Sequence, residues 1–346
     1  MGLLRIFGKN PEGEYRKRIE QSTNYKQGEF KNLEVTKLMV DGGAYWRSIR
    51  KTIRKPSNAS PSTALPSVKT NLKERITGAP VINWMGHSSY LIRTMGINIL
   101  VDPVLSGNAS PFSFAIKSFP GSDIYSVDDL PDIDILIITH DHYDHLDYKT
   151  VVKLQPRVKS VCTSLGVGAH LRYWGYDPSI ITELDWWERK SFADDISIRT
   201  APARHFSGRT LKRNQTLWSS FILNAGGYKL FLGGDSGYDH AFRQIGEAEG
   251  PFDIAILEAG QYNDDWPLIH MKPEEAVQAA KDLKAKVLLP VHWGKFSLAF
   301  HPWFEPAARI RKKAFELNQL VTSPLIGESV IVGESYPDTS WWESIL

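Results

Sequence analysis

Seven histidine and aspartate side chains in four short motifs, each close behind an apolar strand-like run, constrain this chain more than any other feature. The densest motif is Thr139-His-Asp-His-Tyr-Asp-His-Leu-Asp147. Farther along come His205 in Ala201-Pro-Ala-Arg-His, Asp235 in Gly233-Gly-Asp-Ser-Gly, and His292 in Pro290-Val-His-Trp-Gly. Imidazole nitrogens and carboxylate oxygens are the donors that zinc and its first-row neighbours prefer. Four such motifs in series point to one metal centre built at the ends of several strands.

The 346 residues, 42% of them hydrophobic and 23% charged, can bury a large core in one big domain or two modest ones. The net charge of +2 conceals an asymmetry. Residues 1–75 carry sixteen Lys or Arg against seven Asp or Glu, so the remainder is acidic. A basic arm of this kind either wraps its own acidic body or meets an anionic surface such as a membrane. The single Cys162 excludes an internal disulfide and fits a reducing compartment. No apolar stretch approaches the roughly 20 residues of a membrane span. The expected location is the cytoplasm, with peripheral membrane contact the expected extension of it.

Residues 1–75 are expected to form a basic arm packed on a main domain of residues 76–346. The arm ends near the Pro/Ser-rich stretch Pro56–Pro66, which reads as an extended connection. Beyond it Pro80–Met85, Ser89–Thr94 and Ile97–Val101 are short strand candidates split by Gly86 and Gly96. Ile133–Thr139 is an apolar run ending at His140, followed by a helix predicted over Leu146–Leu154 and another over Gly166–Trp174. Trp218–Leu223 and Tyr228–Leu232 suggest a hairpin around Gly226-Gly227. Pro273–Lys284 has Pro first, acids in the first turn and lysines at the end, the marks of a helix. Many short strands with interspersed helices fit an α/β (α+β) protein in which helices cover a two-layer β-sandwich.

His140 and His142 share a face in an extended segment. A turn at Tyr143 then redirects Asp144 and His145 toward a second position. The run His140-Asp-His-Tyr-Asp-His145 resembles the His-x-His-x-Asp-His signature of the metallo-β-lactamase fold superfamily, with His205, Asp235 and His292 at its remaining ligand positions. Within it the chain is most similar to the branch of phospholipases D that hydrolyse N-acylphosphatidylethanolamine. The resemblance rests on Trp84-Met-Gly-His-Ser-Ser89, Asp102-Pro-Val-Leu-Ser106, His205-Phe-Ser-Gly-Arg-Thr-Leu211, Gly250-Pro-Phe-Asp253 and His292-Trp-Gly-Lys-Phe-Ser-Leu-Ala299.

That resemblance implies a four-layer αββα sandwich of two mixed β-sheets. It also implies two divalent metal ions, zinc by expectation with manganese, iron or cobalt as alternatives. His140, His142 and His205 would hold one, Asp144, His145 and His292 the other, and Asp235 would bridge them. A metal-bridging hydroxide would cleave a phosphodiester of an N-acylphosphatidylethanolamine-like phospholipid, with Asp144 and His270 as the catalytic proton shuttles. Two cations about 3.5–4 Å apart can clamp both attacking and leaving oxygens. The alternatives are a lactonase on the same dinuclear site and a non-catalytic metal-binding scaffold. The acidic body argues against nucleic acid as a partner. A homodimer is the family precedent.

Other residues admit two readings. Ile269, beside His270, departs from the polar residue the family suggests. His87 is a group behind the metals or a core histidine, and Asp102 is placed to orient a ligand histidine. Asp147 is suited to cap the following helix. His170 and His240, on helical stretches, read as surface residues. Arg204, Arg209 and Lys212 meet a phosphate or form a solvated loop. Trp341-Trp342, two of eleven tryptophans, line an acyl groove or belong to the core.

Overall fold

The computed structural model describes residues 3–346. The first seventy-five residues contribute α1 (Gly13–Glu20), a hairpin of β1 (Tyr25–Lys26) and β2 (Glu29–Phe30), and α2 (Ala44–Ile53). Next β3 (Val81–Trp84), β4 (Tyr90–Thr94) and β5 (Ile97–Val101) run antiparallel. The same sheet continues in parallel through β6 (Ile133–Ile138), β7 (Val158–Ser164) and β8 (Ile181–Leu184), with α3 (Tyr148–Leu154) and α4 (Gly168–Tyr173) as crossovers.

The second half repeats that plan. Antiparallel β9 (Arg189–Ala193), β10 (Ile196–Ala201), β11 (Ser220–Ala225) and β12 (Tyr228–Leu232) precede parallel β13 (Phe252–Glu258), β14 (Ala285–Val291) and β15 (Leu320–Val321). Its crossovers are α5 (Ala241–Ala248), α6 (Pro273–Asp282) and α7 (Glu305–Leu317). β16 (Ser329–Ile331) then returns to pair with β3. Among the described residues this gives two seven-stranded sheets, ordered β16-β3-β4-β5-β6-β7-β8 and β15-β14-β13-β12-β11-β10-β9.

Burial on both faces explains why the central strands are apolar without alternation. In β6, Ile135 and Ile137 face the other sheet, while Leu136 and Ile138 pack under α3 and α4. In β13, Ile254 and Ile256 face inward, and Ala255 and Leu257 face α5, α6 and α7. Helices outside, two sheets inside: the architecture is the αββα sandwich. Its parallel strands end on one edge, where loops gather, the usual place for a site in such sheets.

Segments outside the sandwich are joined to it by apolar packing. Ile19 of α1 and Phe30 of β2 are buried against Leu165, Trp186, Leu217 and Trp218. Leu65 lies in the inter-sheet core and Leu72 in the core under α3 and α4. The helix expected from Leu146 begins at Tyr148 instead, because the Asp147 carboxylate accepts from Lys149 N at 3.2 Å and caps it. Trp341 and Trp342 are core: both are buried, and Trp341 stacks on Trp293 with ring centroids 5.3 Å apart. No helix among the described residues is long and apolar enough to cross a membrane.

Because Phe30 has no exposed surface, Phe30→Ala should cost about 3 kcal/mol. Thermal unfolding should show one transition at a lower midpoint. A main transition left unmoved would mean that residues 1–30 unfold on their own.

Candidate metal centre

Six strand ends deliver the polar side chains. Asp102 follows β5, His140 follows β6, His205 follows β10 and Asp235 follows β12. Glu258 is the last residue of β13, and His292 comes directly after β14. Backbone bonds lace the β3–β4 turn to the end of β14: His292 N donates to His87 O, and His87 N donates to Trp293 O, both at 2.9 Å. His87, Asp102 and His292 all sit at positive φ, 53°, 41° and 67°. Non-glycine residues there cost on the order of 1–3 kcal/mol each, and such strain gathers at functional sites. Gly234 has φ +63°, and a Cβ on it would lie 3.1 Å from Thr139 Cβ and from Ser219 O. Only a glycine lets the Asp235 loop approach the His140 loop so closely.

Three donor groups result among the described residues, the third of which, Asp235, Glu258, His270 and His292, shares Asp235 and His292 with the other two. In the first, one atom each of His140, His142, His205 and Asp235 lies within 4.8 Å of the others. His140 Nε2 is 3.0 Å, and His205 Nε2 3.2 Å, from His142 Nδ1. Asp235 Oδ2 stands 3.7 Å from His140 Nε2 and 3.6 Å from His205 Nε2. The second group is His87, Asp144, His145 and His292, also within 4.8 Å. Here the other Asp235 oxygen, Oδ1, lies 3.2 Å from both His145 Nε2 and His292 Nδ1. One carboxylate thus turns an oxygen to each of the first two groups.

The hydrogen bonds behind the rings decide which nitrogens face inward. His145 Nδ1 donates to Asp102 Oδ2 at 2.7 Å, and Asp102 is itself held by Thr139 N at 2.8 Å and Thr139 Oγ1 at 2.6 Å. His205 Nδ1 donates to Ile269 O at 2.8 Å. His140 Nδ1 is 3.0 Å from Thr139 Oγ1. For His140 and His205 the inward Nε2 is therefore left as a lone pair, the state a metal requires. Burial would depress His145, but the Asp235, Asp144 and Asp102 carboxylates outweigh it and hold the ring well above the ordinary histidine range, so a cation at its Nε2 displaces a proton. Burial, followed by neighbouring imidazoles, pushes His140 well below the ordinary histidine range, and burial likewise pushes His205 and His292 down. Burial alone would raise Asp235, but His145 and His292 hold it well below the carboxylate range. His145 Nε2, Asp235 Oδ1 and His292 Nε2 are buried with no hydrogen-bond partner. Buried polar atoms without partners are costly, and a divalent cation in each of the first two groups would satisfy them. Nitrogen and oxygen donors in these numbers fit zinc and its neighbours.

His270 stands beside the first two groups, its ring centroid 5.0 Å from His205 and 5.2 Å from His292. Its Nδ1 donates to Glu258 Oε2 at 2.9 Å, and Glu258 Oε1 accepts Met271 N at 2.9 Å and Ser236 N at 3.2 Å. Burial would depress His270, but the Glu258 carboxylate outweighs it and raises the imidazole to about 9. Glu258 is not among the candidates the sequence motifs supply. A signal was present: an acid ends the apolar run Phe252–Leu257 just as histidines end others.

Three surface readings are corrected. His170 is buried, its Nε2 3.2 Å from Asp141 Oδ2 and its Nδ1 accepting Lys9 N at 3.1 Å. Arg209 is buried and cannot meet a phosphate: it donates to Asp141 O, Leu146 O and Ile6 O, each at 2.8 Å. Arg204 is held by Thr36 Oγ1 at 3.0 Å and Val35 O at 3.2 Å. Asp141 joins none of the donor groups; it is fixed by His170 and by Gly208 N at 2.7 Å. His240 is exposed, as expected for a surface residue.

Asp102→Asn should keep the fold yet lose His145 orientation, weakening metal binding by roughly 10–100-fold. Competition against a chromogenic chelator measures this, and unchanged affinity would remove Asp102 from the site.

Residues 97–293 match the family described as the β-lactamase superfamily domain. An uncharacterized protein of Mycobacterium tuberculosis is 38% identical over 93% of this chain and 88% of its own length. N-acyl-phosphatidylethanolamine-hydrolyzing phospholipase D 1 of Caenorhabditis elegans is 32% identical over 66% of this chain and 68% of its own. Among solved structures, the metallo-hydrolase Igni18 of Ignicoccus hospitalis superposes with a TM-score of 0.56 at 19% identity, over 73% of this chain and 98% of that one. The chain therefore belongs to the β-lactamase superfamily as a metal-dependent hydrolase, with phospholipases D that hydrolyse N-acyl-phosphatidylethanolamine among its homologues.

Proposed function

We propose that the protein is a dinuclear, zinc-dependent phosphodiesterase that hydrolyses an N-acylphosphatidylethanolamine-like phospholipid to a phosphatidic acid and an alcohol-bearing head group. The observation that carries a two-metal reading is Asp235, whose two oxygens each face a separate group of buried donors. His140, His142 and His205 would hold one cation, and Asp144, His145 and His292 the other. Bound divalent cations lower the pKa of water toward neutrality and neutralise charge on phosphoryl oxygens. The phosphodiester reading is supported by relatives named as phospholipases D in Caenorhabditis elegans and Saccharomyces cerevisiae.

The reaction forms a bond from water oxygen to phosphorus and breaks the bond from phosphorus to the head-group oxygen. One proton leaves the water and one must reach the departing alkoxide. His270 suits the second task. Glu258 accepts its Nδ1–H, and that carboxylate favours the protonated imidazole against burial. Asp144 suits the first, because one of its oxygens is engaged by His87 Nε2 at 3.0 Å while the side chain keeps some exposure. Ser88 Oγ, 2.9 Å from His292 Nδ1, steadies that ring.

The test is a paired initial-rate assay on zinc-loaded protein, micellar N-acylphosphatidylethanolamine against an acyl lactone, each with a chelator control. Chelator-sensitive diester turnover is the expected result. Lactone turnover alone would overturn the substrate class and leave the metal centre intact. Asp235→Asn should abolish turnover in a folded protein, whereas a non-catalytic scaffold would be indifferent. His270→Ala should retain bound metal while kcat falls by about 10²–10⁴; an unchanged kcat would exclude it as the acid.

A further inference from the structure

A helix on a protein surface ordinarily turns its apolar stripe to the core and its charges to water. α2, Ala44-Tyr-Trp-Arg-Ser-Ile-Arg-Lys-Thr-Ile53, does the reverse. Ala44 is its one fully buried side chain among those described, and Ser48 and Lys51 on the same side are half-buried. The inward tie is ionic. Arg47 Nε and Lys51 Nζ both reach the nearly buried Asp265 carboxylate at 2.7 Å. Helical spacing then puts Tyr45, Trp46 and Ile49 together on the opposite side. They are 58%, 70% and 37% exposed.

Cations edge that apolar face. Arg50 and Arg54 are exposed and have no carboxylate partner among the described residues. Behind the helix Lys51, Arg54, Lys272 and Arg309 share a cleft of about 530 Å³ with Asp264 and Glu305, and all of these cations but Arg54 are paired with carboxylates. Upstream, Val40 N donates to Asp265 O at 3.0 Å, and Val40 itself is exposed. Asp265 belongs to the loop between β13 and α6 that also carries His270. The inward side of the helix is therefore tied to the segment that reaches the metal centre.

We propose that α2 is an interfacial helix that seats the protein on an anionic lipid surface. Trp and Tyr favour the head-group level of a bilayer, where a ring is half apolar and half wet. Ile49 between them would enter the acyl boundary, and Arg50 and Arg54 would meet lipid phosphates. The Asp265 ion pairs hold the helix in this inverted orientation. Docking does not depend on which ester the centre cleaves.

Co-sedimentation of the full chain with phosphatidylcholine vesicles, with and without phosphatidylglycerol, tests this. The protein should bind the anionic vesicles far better. Trp46→Ser with Ile49→Ser should weaken that binding by at least about tenfold. Arg50→Gln with Arg54→Gln should weaken it by about thirtyfold on anionic vesicles only. Both double variants should keep wild-type metal content and unfolding midpoint, because none of these residues is buried or near the donors. Three results would overturn the proposal: no binding by the wild type, equal binding by the variants, or a dimer that the α2 variants split while vesicle binding stays unchanged.

Discussion

The geometry at the mouth of the two sheets follows from an electrostatic problem centred on Asp235. Its carboxylate is buried among imidazoles whose rings are fixed by Asp102, Ile269 O and Thr139 behind them. Unpartnered buried polar atoms are expensive in a dry site. Divalent charge is what makes such an arrangement favourable. Every surrounding feature serves to hold the donors at that separation until the charge arrives. The left-handed backbone at His87, Asp102 and His292 is part of the same constraint, because loops that must converge from two sheets cannot all relax.

Rigidity comes from a shell of buried charges whose partners are mostly backbone. Arg209 reaches two carbonyls of the His140–Leu146 loop and one of Ile6, and its guanidinium lies 4.1 Å from the Tyr143 ring centroid. His170 and Asp141 join the same loop to Lys9. Near the other sheet, Glu258 gathers Ser236 N, Met271 N and His270 onto one carboxylate. The segment before α1 is thus part of the support for the metal-binding loop, although it contributes no donor. A site loosened by an ångström loses much of its effect, which is why so many buried groups are committed to positioning.

The chemistry of such a centre is general to esters and diesters, and the choice among them falls to what surrounds it. Here the surroundings are the first seventy-five residues and the β13–α6 loop. Parts of the former bury Phe30 and Ile19 against the body, and α2 turns Trp46 outward while gripping that loop through Asp265. The proposed docking helix and the proposed proton donor are therefore joined through one loop, which carries both Asp265 and His270.

How much of this was legible in the sequence depends on whether the signal was local. Apolar runs buried on two faces, the Pro-led α6 and the Gly226-Gly227 hairpin are set by neighbours in the chain, and the expected elements are present. The His140–His145 run and the single donors after β10, β12 and β14 could be singled out because metal chemistry limits the residue types that serve. Burial was not legible where a distant segment supplies it. His170 and Arg209 read as surface because their partners, Lys9 N and Ile6 O, lie more than 160 residues away. Glu258 could not be singled out because its partner His270 reaches it only through the fold. The sequence by itself determined which side chains could serve a metal and which strands would be covered on both faces. Tertiary structure alone decided which oxygen of Asp235 faces which imidazoles and which side of α2 meets water, because both depend on contacts between segments whose separation in the chain carries no local trace.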